Sequence, residues 1–143
     1  MLEVTQLLKA LMEETGARIE ASALPVVPVS EHRVTELFQN LIGNALKFRR
    51  AEVEPRVKVS AERAGAWWKF VVADNGVGFD MAYRERIFGV FKRLQSREVE
   101  GTGIGLSVCR RIVERAGGTI YAESILGEGS KFVFTLPAVK CEP

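Results

Sequence analysis

Long apolar runs are missing from this chain. The longest purely apolar stretch is Phe70–Ala73, far short of the roughly 18 residues that a membrane-spanning helix needs. No signal-peptide core follows Met1. Cysteine is scarce as well. Cys109 and Cys141 stand far apart with no second ligand pair beside either, so neither a disulfide framework nor a zinc site is expected. Nor does one sign of charge dominate: 20 Lys and Arg against 18 Asp and Glu leave a formal +2. That balance gives no support to a nucleic-acid partner or direct membrane contact. What is present is ordinary for a globular protein, with 47% hydrophobic and 27% charged residues in 143. The length suits one domain that buries roughly two-thirds of its unfolded surface. A reduced, soluble, cytoplasmic domain is the expectation.

Hydrophobic spacing divides the chain. Leu2–Thr15 has helical periodicity through Val4, Leu7, Leu8, Leu11 and Met12, with Gly16 as its stop. Ala17–Ala21 and Pro25–Val29 read as short extended stretches, the second placed at an edge by its prolines. Ser30 then suits the N-cap of a long helix to about Phe48, whose stripe is Val34, Leu37, Phe38, Leu41, Ile42, Ala45 and Leu46. Arg56–Ala64 and Trp67–Ala73 predict a hairpin turning at Gly65. Ala82–Val90 predicts a short helix, and Phe91–Gly101 a charged surface loop. Helical spacing returns over Thr102–Ala116 and ends at Gly117-Gly118. Thr119–Ser124 and Lys131–Leu136 form a last strand pair around Leu126–Gly129. The order predicts an α+β two-layer sandwich with a largely antiparallel sheet.

Three constellations carry chemistry. On the long helix, Glu36, Asn40, Asn44 and Lys47 fall within a sector of roughly 80° at about 100° per residue. A solvated face would favour Glu, Lys and Arg, whereas Asn is a mediocre helix former. Amide oxygens suit Mg²⁺ and a lysine ammonium suits phosphate, so both a solvated and a ligand-binding face fit. The second constellation is Asp74-Asn75-Gly76-Val77-Gly78-Phe79, directly after a buried strand. It reads equally as a hairpin turn or as a flat approach to the backbone, where a carboxylate could accept from an exocyclic amine. The third, Gly101-Thr102-Gly103-Ile104-Gly105-Leu106, opens a helix and suits a phosphate cradle or simple loop flexibility. It is neither the dinucleotide fingerprint nor a Walker A loop.

Taken in order, these motifs resemble the nucleotide-binding domain of sensor histidine kinases, within the superfamily that includes type II topoisomerases, heat-shock protein 90 and MutL. Glu36–Phe48 resembles the N box, Asp74–Phe79 the first glycine box, Ile87–Leu94 the F box and Gly101–Leu106 the second glycine box. The ending Gly127-x-Gly129-Ser130-x-Phe132, then Phe134-Thr135-Leu136-Pro137, is similar to the family's too. The likeness runs from about residue 2 to Pro137.

The resemblance implies a Bergerat-type fold, a mixed and mostly antiparallel sheet on about three helices, forming a single ATP-binding catalytic domain. It implies that Asp74 accepts the adenine amino group with Gly76 and Gly78 beside it, and that Thr135 helps through an ordered water. Asn40 would supply an oxygen to Mg²⁺, while Asn44 and Lys47 would hold phosphate oxygens of ATP. Gly101, Thr102, Gly103, Ile104, Gly105 and Leu106 would form the second nucleotide-binding box. Phe79–Gly101 would be the lid, anchored by Phe88 and Phe91, with Arg93 reaching the γ-phosphate to stabilise charge on the transferring group. In hydrolysing relatives a glutamate stands four residues before the Asn-Ala pair. Here Asn40 stands there before Asn44-Ala45, and an amide is no general base. Glu36 lies one turn further away. Transfer to a protein side chain is therefore favoured over hydrolysis.

The resemblance also implies a phosphoacceptor histidine on a separate dimerisation domain, and a response regulator downstream. The single histidine, His32, is followed by Arg33 and Val34 and lies at the start of the nucleotide-binding helix, so it reads as a surface residue. The 143 residues thus look like a catalytic half without its dimerisation and sensor segments. As an isolated domain it is expected to be monomeric, with a homodimeric parent either soluble or membrane-anchored. An anti-sigma-factor-type serine kinase and a nucleotide-binding docking module without transfer are the alternatives.

Overall fold

A computed structural model describes residues 2–16, 18–21, 24–47, 50, 53–78 and 102–138. The expected helix Ala82–Val90, the lid and its residues Phe88, Phe91 and Arg93, and Gly101 lie outside the described residues. The elements follow in the order β1 (Leu2–Glu3), α1 (Val4–Thr15), β2 (Arg18–Ala21), β3 (Val26–Val27), α2 (Glu31–Lys47), β4 (Arg56–Ala64), β5 (Trp67–Asp74), α3 (Thr102–Arg115), β6 (Ile120–Ile125) and β7 (Gly129–Pro137).

The long helix behaves as its stripe requires. Val34, Leu37, Phe38, Leu41, Ile42 and Ala45 are all buried on one side of α2, the spacing that keeps apolar residues on one face. The Ser30 carbonyl accepts the first helical bond from Val34 N at 3.0 Å, which places Ser30 at the N-cap. Period-two alternation does the same for the sheet. Val57 and Val59 on β4, Phe70 and Val72 on β5, and Phe132, Phe134 and Leu136 on β7 join the same buried cluster as the helices. At its centre the Phe38 ring meets Phe70 and Phe134 edge-on at 6.1 and 5.7 Å between centroids. Phe70 and Phe134 stack at 5.1 Å. Aromatic pairs at such separations add to the burial of their area.

The five-stranded sheet runs β2-β4-β5-β7-β6. β2 is parallel to β4, and the other neighbours are antiparallel. With three helices among the described residues on one face, this is the expected α+β two-layer sandwich. The β4–β5 hairpin closes at Ala64↔Trp67 around Gly65. One expectation is corrected at the start of the chain. Leu2–Glu3 is not helical but pairs antiparallel with Val26–Val27 in a separate two-stranded sheet, so α1 begins only at Val4. A terminal residue can satisfy a helical period without being helical when a distant strand offers its backbone a partner.

Candidate functional site

The site is built where β5 ends. Asp74 is the last residue of that strand, in register with Val57 on β4 and Ser130 on β7. Its Oδ1 accepts a bond from the Gly76 backbone N–H at 2.8 Å. Burial pushes the carboxyl above its ordinary range, and the backbone N–H groups of Gly76 and Ser130 pull the other way without cancelling it. A carboxylate so desolvated gains from any donor that arrives at its remaining lone pairs.

The chain then turns beneath the β6–β7 hairpin. Val77 O accepts from Gly127 N at 2.6 Å. Gly78 has a φ of +69°, and a Cβ there would lie 2.3 Å from the Ile125 carbonyl oxygen. Only glycine combines that backbone conformation with that approach. Asn-Gly is therefore no simple hairpin turn here, since β5 pairs onward with β7 and not with the segment directly after it.

α2 carries a second group of candidate residues. Asn40 Nδ2 donates to the Glu36 carbonyl at 2.9 Å, so its oxygen, a hard ligand, is the group it can offer a cation. Four residues on, Asn44 Nδ2 is buried with no hydrogen-bond partner among the described residues. An unsatisfied buried donor costs about 1–3 kcal/mol, so its retention calls for an acceptor that arrives from outside. Lys47 lies exposed in the last turn of the helix. The end of α2 is carried to the Asp74 loop by Arg50, whose Nε donates to the Asn75 carbonyl oxygen at 2.9 Å.

α3 begins at Thr102, so the glycine-rich motif opens a helix as expected. Thr102, Gly103, Ile104 and Gly105 form its first turn, and the Leu106 side chain is buried in the core, leaving only its backbone for a ligand. The helix is seated on α2 through Cys109, whose Sγ donates to the Leu37 carbonyl at 3.7 Å. Burial, helped by the nearby Glu36 charge, pushes that thiol up to about 12. It is an inert packing group.

Thr135 is corrected. The register sets it opposite Lys69, five residues along β7 from the Ser130 that faces Asp74. Its hydroxyl is used by Thr119, whose backbone N–H donates to Oγ1 at 2.9 Å. Thr135 therefore does not reach the Asp74 end of the sheet. Ser130 does, and its hydroxyl lies 3.0 Å from that of Ser124. Three residues have no role in the sequence reading, although two of them stand inside its motifs: Ser130, Asn75 and Arg50. Asn75 Oδ1 accepts from Arg56 N at 2.9 Å and its Nδ2 donates to Glu54 O at 3.0 Å. An Asn beside the strand-end Asp was a visible signal, but nothing in the spacing marked its partners.

The residues offer a half-buried carboxylate for a donor and, on α2, an amide oxygen, an amide N–H without a partner among the described residues and a lysine for an anion. The family described as histidine kinase-, DNA gyrase B-, and HSP90-like ATPases matches residues 29–140. Cyanobacterial phytochrome A of Nostoc sp. is 47% identical over 131 residues, which are 91% of this chain and 17% of that protein. The adaptive-response sensory kinase SasA of Prochlorococcus marinus subsp. pastoris is 44% identical over 119 residues, 81% of this chain and 32% of the relative. The chain thus spans a third or less of these relatives' lengths. The crystal structure of full-length ShkA in complex with AMPPNP superposes with a TM-score of 0.76 at 31% identity, covering 95% of this chain and 30% of that one. With the sandwich and these likenesses in agreement, the chain belongs to the histidine kinase-, DNA gyrase B- and HSP90-like ATPase family.

Proposed function

We propose that this is the ATP-binding catalytic domain of a two-component sensor kinase, and that it transfers the γ-phosphoryl group of Mg-ATP to a histidine on a separate dimerisation domain. The observation that carries the reading is the buried Asn44 Nδ2, without a partner among the described residues, on the face that also bears Asn40 and Lys47. A phosphate oxygen is the acceptor that would satisfy it. Asp74 would take the adenine amino group, a donor suited to its desolvated carboxylate. Gly76 and Gly78 would keep the backbone low beneath the ring. The N-terminal turn of α3 would present backbone N–H groups to the phosphates. In the lid, 79–101, Phe88 and Phe91 would anchor the segment and Arg93 would meet the charge that develops on the transferring group.

Mg²⁺ fits the donors present. No group of three or more His, Cys, Asp or Glu that could hold a metal occurs among the described residues. The cation would therefore take Asn40 Oδ1, phosphate oxygens and water, the sparse protein ligation common for this ion. Bound there, it would neutralise phosphate charge and polarise the group being transferred. Asn40 stands where a general base for water would be needed, and an amide cannot take a proton at neutral pH. The site thus holds ATP without promoting its hydrolysis, which leaves the phosphoryl group for an incoming imidazole. A response regulator would receive it next. The reaction is assigned to the cytoplasm, and no helix among the described residues is long and apolar enough to cross a membrane.

The test has two stages. Calorimetric titration with ATP, with and without Mg²⁺, should show metal-dependent binding with little turnover to ADP, and Asn40→Ala should blunt the metal dependence. Incubation with a separately supplied dimerisation domain should then give a label that resists base and is lost in mild acid, as phosphohistidine does. An acid-stable label would point to a serine kinase, and binding without any label to a docking module.

A further inference from the structure

The Asp74 loop leaves the sheet in an unusual way. Up to Asp74 the main chain of β5 pairs with β4, ending at Val57↔Asp74. One residue on, the side chain of Asn75 takes over that edge. Its amide oxygen accepts from Arg56 N at 2.9 Å and its amide nitrogen donates to Glu54 O at 3.0 Å. Those are the two groups that another strand peptide would engage, and a side-chain amide is chemically a peptide. The main chain of Asn75 is thereby free to turn. Its carbonyl swings out to accept from Arg50 Nε at 2.9 Å, and Gly76 N turns back onto Asp74 Oδ1 at 2.8 Å.

From this geometry we infer that Asn75 and Arg50 are positioning residues that hold the adenine-side loop at a set distance from the phosphate-side helix. The inference rests on the nucleotide reading above. Asn75 aims Asp74 by continuing the ladder after the backbone has departed. Arg50, three residues beyond the end of α2, ties that helix to the same loop. A ligand that bridges Asp74 and Asn44 needs both ends at once, whereas adenosine needs only one. Aspartate at 75 would set an oxygen against the Glu54 carbonyl, and glutamine would overreach by one methylene. Lysine at 50 would keep a single donor for the Asn75 carbonyl.

The test compares Mg-ATP with adenosine on Asn75→Ala, Arg50→Ala, Arg50→Lys and the double alanine variant, alongside amide hydrogen exchange of each free protein. Asn75→Ala should weaken Mg-ATP by about fivefold and speed exchange at the Arg56 and Gly76 amides while core amides of α2 keep their protection. Arg50→Ala should weaken Mg-ATP and leave adenosine unchanged, and Arg50→Lys should restore much of the loss. The double variant should bind no more weakly than Asn75→Ala alone, because Arg50 holds only a loop that Asn75 has already set. Single effects that multiply in the double variant would make Arg50 a direct phosphate contact and overturn the inference. Unchanged exchange at Arg56 and Gly76 would overturn it whatever the nucleotide does. Wild-type protein that takes up no Mg-ATP would instead bring down the nucleotide reading itself.

Discussion

Gly78→Ala offers the sharpest test of how the site is built. The backbone there has a φ of +69°, a conformation that costs an L-residue about 1–2 kcal/mol. The added methyl would also lie 2.3 Å from the Ile125 carbonyl oxygen and 3.0 Å from that of Gly129. Both are backbone atoms of the β6–β7 hairpin and cannot swing aside as a side-chain tip would. Forcing them apart belongs with overpacking, about 1–3 kcal/mol, for a total near 2–5 kcal/mol. Gly127→Ala is the matched control on the same hairpin. Its φ is +87°, with nothing within 4 Å of the added carbon, so only the conformational part applies. Urea melts of the two variants should differ by about 1–3 kcal/mol, with Gly78→Ala the less stable. It should also bind ATP more weakly, because the shift is transmitted to Asp74. Equal stability losses would refute the close contact between the 75–78 loop and the hairpin.

Other outcomes follow from the same atoms. Burial raises the Asp74 carboxyl pKa above its ordinary 3.8, so the folded chain holds that proton to higher pH than the unfolded chain. Asp74 therefore makes stability fall as pH rises from 3.8 towards the raised value, and the deficit persists above it. Asp74→Asn should abolish that component in melts run across pH, while weakening ATP by about 1–3 kcal/mol; unchanged affinity would remove Asp74 from the adenine role. Asn44→Leu removes a buried amide nitrogen that has no partner among the described residues, so it should leave the free protein as stable or up to about 1 kcal/mol more stable while Mg-ATP binding falls, and a clear loss of stability would show that the amide has a partner. Phe38→Ala removes the ring that meets the stacked Phe70 and Phe134 edge-on and should cost about 3–5 kcal/mol in a denaturant melt; a loss below 1 kcal/mol would contradict its place at the centre of the core.

Much of this was legible in the residues. The stripe of α2, the alternation of β4 and β5, and Gly65 between them define their elements within a few positions. All three rest on neighbours three or four residues apart on a helix, or two apart on a strand. The glycine-rich opening of α3 and the strand-end carboxylate were visible for the same local reason, and their order carried the family likeness. Asn40 and Asn44 could be placed on one face by counting turns.

The rest belongs to pairings between distant parts of the chain. Thr135 and Ser130 lie on one strand, and only the β5–β7 register decides that Ser130 meets Asp74 while Thr135 meets Lys69. Five residues apart, the two lie on opposite faces, which the alternation shows by itself; a slip of two residues would keep every side chain on its face, so the pattern gives the face and not the partner. Leu2–Glu3 satisfied a helical period and became a strand because Val26–Val27 offered it a partner. The burial that raises Asp74, the orphaned amide of Asn44 and the Asn75 bonds to Glu54 and Arg56 are likewise set by what the folded chain brings near. Sequence by itself determined most of the elements and their order; the tertiary structure alone decided which residues meet across the sheet and which polar groups are desolvated, because register and desolvation arise only when distant strands and helices close on one another.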